Sequence, residues 1–238
     1  VVNDAPAFVL AAAPTAAEDA GPQLRSAFAT DISAGPASEL GQGLAFDVVV
    51  LGTDASLGFA SPPAIDPSGN LRFAAAAESF GTATIEVRLR DDGGTANGGV
   101  AVSTPRSFTL SVLAVNDAPS FTAADPAPVP ASFGPVTLPN WATGSTGPAN
   151  ESAQTLSYEV VAVSDPTQFA FGPAVTPDGT LRYTPATTAF GTTTVSIRVR
   201  DSGGTSAGGV DVSEAQTFSF TISPVVDALF NDGFETRN

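Results

Sequence analysis

Cysteine, histidine, methionine and lysine are all missing from this sequence of 238 residues, and its nine basic residues are all arginine. Without cysteine there are no disulfide staples and no thiolate to act as nucleophile or metal ligand. Without histidine the usual general base and the usual zinc ligand are gone. Together with the missing lysine, this removes nearly every constellation that activates a nucleophile. Positive charge is also scarce: 24 acidic residues leave a formal net charge of -15. Such a surface does not suit the phosphates of nucleic acid or an anionic membrane. It does suit hard cations bound through oxygen. No apolar run approaches the length of a transmembrane helix, which excludes membrane insertion by that route. The alanine-rich stretch FVLAAAPTAA lacks the basic region that opens a signal peptide and follows an Asn-Asp-Ala-Pro segment, so it reads as part of the first domain. The absence of an initiator methionine reads as a processed fragment.

What the chain does contain is a repeat. VVNDAP at its start returns as AVNDAP at Ala114–Pro119, and a degraded third copy reads PVVDALF from Pro224. The segment from Gly35 to Val50 matches Gly147 to Ala162, and Ser79 to Ser103 matches Ala189 to Ser213. Two copies of one module are therefore expected, over 1–115 and 116–226, followed by a tail at 227–238.

Each copy reads as all-β. Ile85, Val87 and Leu89 alternate with Glu86, Arg88 and Arg90, and Val195, Ile197 and Val199 alternate with Ser196, Arg198 and Arg200. A period of two is a strand with one buried and one wet face. Phe108, Leu110 and Val112, with Phe218, Phe220 and Ile222, form a second such strand; Leu44, Phe46, Val48 and Val50, with Leu156, Tyr158 and Val160, form a third. DPSGN and TPDGT are tight turns that close hairpins, because Pro presets φ and Gly accepts positive φ. Short strands separated by Gly/Pro turns, about seven in each copy, predict a β-sandwich for each copy. The arginines that recur at 72/182, 88/198 and 90/200 read as solvated charges on outer faces.

The VNDAP linker, the Phe-Gly before the penultimate strand and the Arg-Asp-x-Gly-Gly that ends it resemble the junctions of bacterial cadherin-like tandem repeats. These are sandwich domains of large secreted and surface adhesins. The corresponding linker of the wider cadherin family forms one wall of a calcium site, so the resemblance implies calcium here. It also implies an extracellular setting, and neighbouring repeats, a cell-surface protein or a glycan as partners. The residues support this independently. In a sandwich of this type the entering linker and the loops after strands two and six share one end. For the second copy that end collects Asn116 and Asp117 with Asn150, Glu151, Gln154 and Asp201; the turn after the first copy's first strand adds Glu18 and Asp19. For the first copy the same positions are Asn3, Asp4, Glu39, Gln42 and Asp91, an incomplete site at the start of the chain. Calcium takes about six to eight oxygen ligands, and these types and numbers suffice. The cadherin D-R-E and D-x-D signatures are absent, with Ser38-Glu39 and Asn150-Glu151 in the place of the latter. Fewer charged ligands imply weak binding, about 10⁻⁴–10⁻³ M.

The equivalents of Glu18-Asp19 in the second copy are Ala131-Ser132, so acids are lost where no further module follows. A metal-free reading also stands: Asn-Asp caps a turn and Pro stiffens the linker. DDGGTANGG lacks the lysine and helix of a phosphate-binding loop. Asp91 and Asp92 are adjacent on a strand and point to opposite faces, which does not suit paired acid–base catalysis. The chain therefore reads as a non-catalytic spacer or adhesion segment. The competing reading is a carbohydrate-binding accessory module of a secreted enzyme, which would need exposed aromatics. The only tryptophan, Trp141, aligns with Phe28 and reads as core. The tail, DALFNDGFETRN, with Phe230 and Phe234, reads as a sorting or anchoring signal.

Overall fold

A computed structural model describes residues 2–224. The degraded linker Val225, Val226 and Asp227, and the tail with Phe230 and Phe234, lie outside the described residues. The chain forms two compact units, the first ending at Val115 and the second starting at Asn116.

The first unit holds β1 (Ala7–Leu10), β2 (Thr15–Ala17), β3 (Gln23–Arg25), β4 (Ala29–Ser33), β5 (Leu44–Thr53), β6 (Phe59–Ile65), β7 (Leu71–Ala75), β8 (Gly81–Asp91) and β9 (Arg106–Leu113). The second repeats the series as β10 (Ser120–Thr122), β11 (Val129–Pro130), β12 (Val136–Leu138), β13 (Thr143–Ser145), β14 (Ser157–Val163), β15 (Phe169–Val175), β16 (Leu181–Pro185), β17 (Gly191–Arg200) and β18 (Gln216–Ser223). Sheet order β2-β9-β8-β5 faces β3-β7-β6, with β1 paired to β4; the second unit repeats this as β11-β18-β17-β14, β12-β16-β15 and β10-β13. The fold is all-β, two tandem Ig-like/cadherin-like sandwiches.

Each of the first two strands of the seven-strand pattern is broken in two. The first changes sheets: β1 runs antiparallel to β4, and β2 then runs parallel to β9. Pro14, which has no N–H to give a ladder, stands in the crossing. The second breaks between β3 and β4, where Ala27 adopts a φ of 52° and its amide donates to Asn70 Oδ1.

Alternation builds the cores. In β8, Ala83, Ile85, Val87 and Leu89 are buried, and in β17 Thr193, Val195, Ile197 and Val199 are. They pack on Leu71, Phe73 and Leu110 in one unit, and on Leu181, Tyr183 and Phe220 in the other. Trp141 belongs to the second core: its ring meets Phe218 edge-on at 4.9 Å and its Nε1 donates to Ala124 O. The turn between β6 and β7 closes with Gly69 at a φ of +84°, and its counterpart with Gly179 at +80°.

Four of the six outer-face arginines are paired. Arg90 meets Asp47 at 2.8 Å and Arg88 meets Glu86 at 2.9 Å. Arg198 and Arg200 share Glu159, and Arg200 also reaches Asp211.

Two expectations follow. Leu181→Ala removes a side chain with no solvent exposure and destabilises the second unit by about 2–5 kcal/mol in urea unfolding, as Leu71→Ala does for the first. The Arg200 and Arg198 guanidiniums hold the Glu159 carboxyl below its ordinary 4.5. A lowered folded pKa contributes stability that is present above the unfolded value and lost as pH falls through the folded one. Acid unfolding below about pH 4.5 is therefore shallower in Glu159→Gln, as read by melting midpoint against pH.

Candidate metal centre

The alternation of β8 does not stop at Leu89. Asp91 is next in the same phase, and it is buried with only 4% of its surface exposed; Asp201 follows Val199 in β17 in the same way, at 6%. An acid in core register at the end of an apolar strand must find partners, because a buried charge without them is costly.

Asparagine of the linker is the first partner. Asn116 Nδ2 donates to Asp201 Oδ1 at 3.0 Å and to Val210 O at 2.7 Å, while its Oδ1 accepts from Gln154 Nε2 at 2.7 Å. Its backbone carbonyl accepts the Val210 amide at 2.8 Å. The linker is thus bolted into the loop between β17 and β18. Gly203 and Gly209 make room for it, since a Cβ at either would collide with Asn116. Asp117 then donates its amide to Glu151 Oε1 at 2.8 Å. Glu151 is itself buried against Gly147, whose φ of +127° and missing Cβ leave space for the carboxylate.

Asp201 and Glu151 each spend one oxygen in this way and not the other. Asp117 Oδ2, Glu151 Oε2, Gln154 Oε1 and Asp201 Oδ2 are buried and accept no hydrogen bond. None of the ion pairs among the described residues involves these acids. Four oxygens from three segments, three of them on carboxylates, are the donor types that a hard cation takes.

The first unit repeats the arrangement. Asn3 Nδ2 donates to Asp91 Oδ1 at 2.8 Å and to Val100 O at 2.9 Å, Gln42 Nε2 donates to Asn3 Oδ1 at 2.7 Å, and the Asp4 amide donates to Glu39 Oε1 at 3.1 Å. Asp91 Oδ2 and Gln42 Oε1 are its buried oxygens without a partner.

At the far end of the first unit, Glu18 Oε1 accepts the Val115 amide at 2.6 Å, and Asp19 Oδ1 accepts the Glu78 amide at 3.2 Å. Glu18, Asp19 and Glu78 place carboxylate oxygens within 4.8 Å of one another.

Of the residues named from sequence, the structure thus gathers Asn116, Asp117, Glu151 and Asp201 in the second unit. It gathers Asn3, Asp4, Glu39 and Asp91 at one end of the first, with Glu18 and Asp19 at the other. Asn150 is exposed on the short turn beside Glu151. The Oδ1 of each of the two asparagines accepts one hydrogen bond from a glutamine. Glu78 was missed. Its signal lay in the repeat: its equivalent in the second copy is Thr188, so all three acids of that end are replaced there together.

No protein-family model matches the chain, and no curated protein matches it. Solved structures do. A crystal form of human protocadherin-24 EC1-2 superposes with a TM-score of 0.53 at 17% identity, covering 94% of this chain and 100% of that one. A second structure of the same protein gives 0.50 at 16% identity, with the same coverage. Mouse cadherin-23 EC22-24 gives 0.47 at 16% identity, covering 94% of this chain and 67% of that one. At these identities the two protocadherin structures establish the fold.

Asn116→Ala removes bonds to a carboxylate, a carbonyl and Gln154, and leaves Asp201 further exposed to the cost of burial. In chelator it destabilises the second unit by about 1.5–3 kcal/mol, whereas Asn150→Ala stays within about 0.5 kcal/mol. Chemical denaturation of both variants checks this.

Proposed function

We propose that this chain is a non-catalytic, extracellular repeat segment, a spacer or adhesion piece whose linkers are stiffened by calcium. One observation carries the reading. Asp117, Glu151, Gln154 and Asp201 turn buried oxygens without partners toward no cation of the protein's own.

Asp117, Glu151, Gln154 and Asp201 would hold the ion, and Asp91, Gln42, Glu39 and Asp4 a weaker one at the start of the chain. Bound calcium neutralises clustered carboxylates that otherwise repel. The protein's part is to present them on a fixed frame: the asparagine bolt ties linker to loop, and Gly147 and Gly35 seat the glutamates. Glu18 and Asp19 are proposed to contribute at the central linker. Glu18 is tied to Val115, and the next residue in the chain is the bolt Asn116. The sandwich fold shared with protocadherin-24 EC1-2 supports a role among neighbouring repeats. The missing histidine, cysteine and lysine support a non-catalytic one.

Thermal unfolding in millimolar calcium and in chelator tests this. At a concentration one hundred times Kd, a bound ion stabilises by about 2.7 kcal/mol. The midpoint rises by several degrees with calcium, and Asp201→Asn or Asp117→Ala removes the rise. Glu18→Gln lowers calcium affinity if the first unit contributes ligands. Equal melts with and without calcium, for the unaltered chain, overturn the reading and leave a linker stiffened by proline alone. A rise with sugars instead of calcium favours the carbohydrate-binding alternative.

A further inference from the structure

The two units differ at one sheet edge. In the second, one side chain caps an amide at the outer edge of β18 and two more hold the segment that carries it. Asp125 Oδ1 accepts the Ser219 amide at 2.8 Å, Gln216 Nε2 donates to Phe121 O at 2.7 Å, and Trp141 Nε1 donates to Ala124 O at 2.8 Å. The matching residues of the first unit are Ala12, Arg106 and Phe28. Alanine and phenylalanine cannot make such bonds, and Arg106 is exposed and enters no ion pair among the described residues.

The edge of β9 is therefore open over part of its length. β2 pairs with it only at Ser111, Val112 and Leu113. The Ser111 amide points outward to Pro14 O at 3.2 Å. Strand alternation turns the amides of Ser107 and Thr109 to the same side, and both residues are exposed. Ala12 stands where Asp125 supplies an acceptor in the other copy. Two cavities flank Ala11–Ala13: one of about 510 Å³ bounded by Leu24, Arg25 and Phe28, the other of about 420 Å³ bounded by Val9, Arg106 and Ser107. Arg25 and Arg106 are two of only nine positive charges in a chain of net charge -15.

We infer that this groove docks an extended, aspartate-bearing peptide segment of another protein. Such a segment adds along the open edge of β9, and its carboxylate takes an outward amide there as Asp125 takes that of Ser219. An edge with unpaired N–H groups is a template for an extended chain. A carboxylate on a backbone amide is a charge-assisted bond, stronger than a neutral one. Arg25 and Arg106 supply the complementary charge, and the two cavities receive flanking apolar side chains. The second unit carries its own occupant in Asp125; the first leaves the place open.

The test uses the full chain and the synthetic peptide Thr-Ala-Ala-Asp-Pro-Ala-Pro, the sequence at 122–128, with an Asn-for-Asp version beside it. Amide shifts in NMR titration report the site. The aspartate peptide gives saturable shifts at Ser107 and Thr109, and the asparagine peptide binds at least tenfold more weakly. Ala12→Asp supplies an internal acceptor and abolishes binding. Arg106→Gln, a change at an exposed position, weakens it about tenfold, the size of one lost charge-assisted bond. Absence of shifts at millimolar peptide overturns the inference. So does binding that is unchanged by Ala12→Asp, or equal for the two peptides. Calcium plays no part in these readouts.

Discussion

A carboxylate in the phase of a hydrophobic strand is the constraint around which each unit is built. Asp91 and Asp201 continue the inward series of β8 and β17, so the same alternation that buries Leu89 and Val199 buries an acid one step later. The strand cannot turn the acid outward without moving its whole apolar series to the wrong face. The acid therefore fixes what must surround it. An amide donor has to arrive from outside the sheet, and the linker asparagine brings it. The loop amide of Gly93 or Gly203 donates to the same oxygen. The glycines beside the asparagine leave space for its side chain. Linker, loop and strand end are one hydrogen-bonded object because one charge is in the wrong solvent.

That object leaves an imbalance. Hydrogen bonds satisfy one oxygen of Asp201 and one of Glu151, and their second oxygens, with Asp117 Oδ2 and Gln154 Oε1, are buried without a hydrogen-bond partner or a basic residue paired to them. Four of the protein's arginines sit on outer faces against Glu86, Asp47, Glu159 and Asp211, where solvent already screens charge. The proposed dependence of linker stiffness on an external cation rests on this separation of the arginines from the inner acids.

Much of this was legible in the sequence, for a reason that particular residues make plain. Period-two strands such as Ile85–Leu89 announce themselves, and the duplicated chain allows each strand to be checked against its copy. The acids and glutamines of the linker end were also legible, because the sandwich topology brings the linker and two loops to one end. Three things were not legible. The breaks within the first two strands depend on Ala27 in a left-handed conformation and on a change of sheet at Pro14, neither of which alters hydrophobic periodicity. Glu78 approaches Glu18 and Asp19 through a turn distant in sequence, so only its loss at Thr188 marked it. The division of labour between Asn and Gln was hidden as well. Composition offers both as oxygen donors, but in the structure asparagine Oδ1 accepts from glutamine while glutamine Oε1 accepts no hydrogen bond.

The duplication also shows what selection of a fold does not determine. Both copies retain the bolt, the inward acid and the seated glutamate, and they diverge at the far-end acids and at the first strand's crossing. There Ala12 faces Asp125, Phe28 faces Trp141 and Arg106 faces Gln216 across the two copies. None of the three changes disturbs the core, since Phe28 meets Phe108 at 4.8 Å much as Trp141 meets Phe218 at 4.9 Å. The aromatic packing is kept while the polar groups that close the edge are removed together. A sheet edge stripped of its plugs exposes unpaired amides, a hazard that proteins generally blunt. Keeping the core and opening only the edge separates stability from recognition within one sandwich.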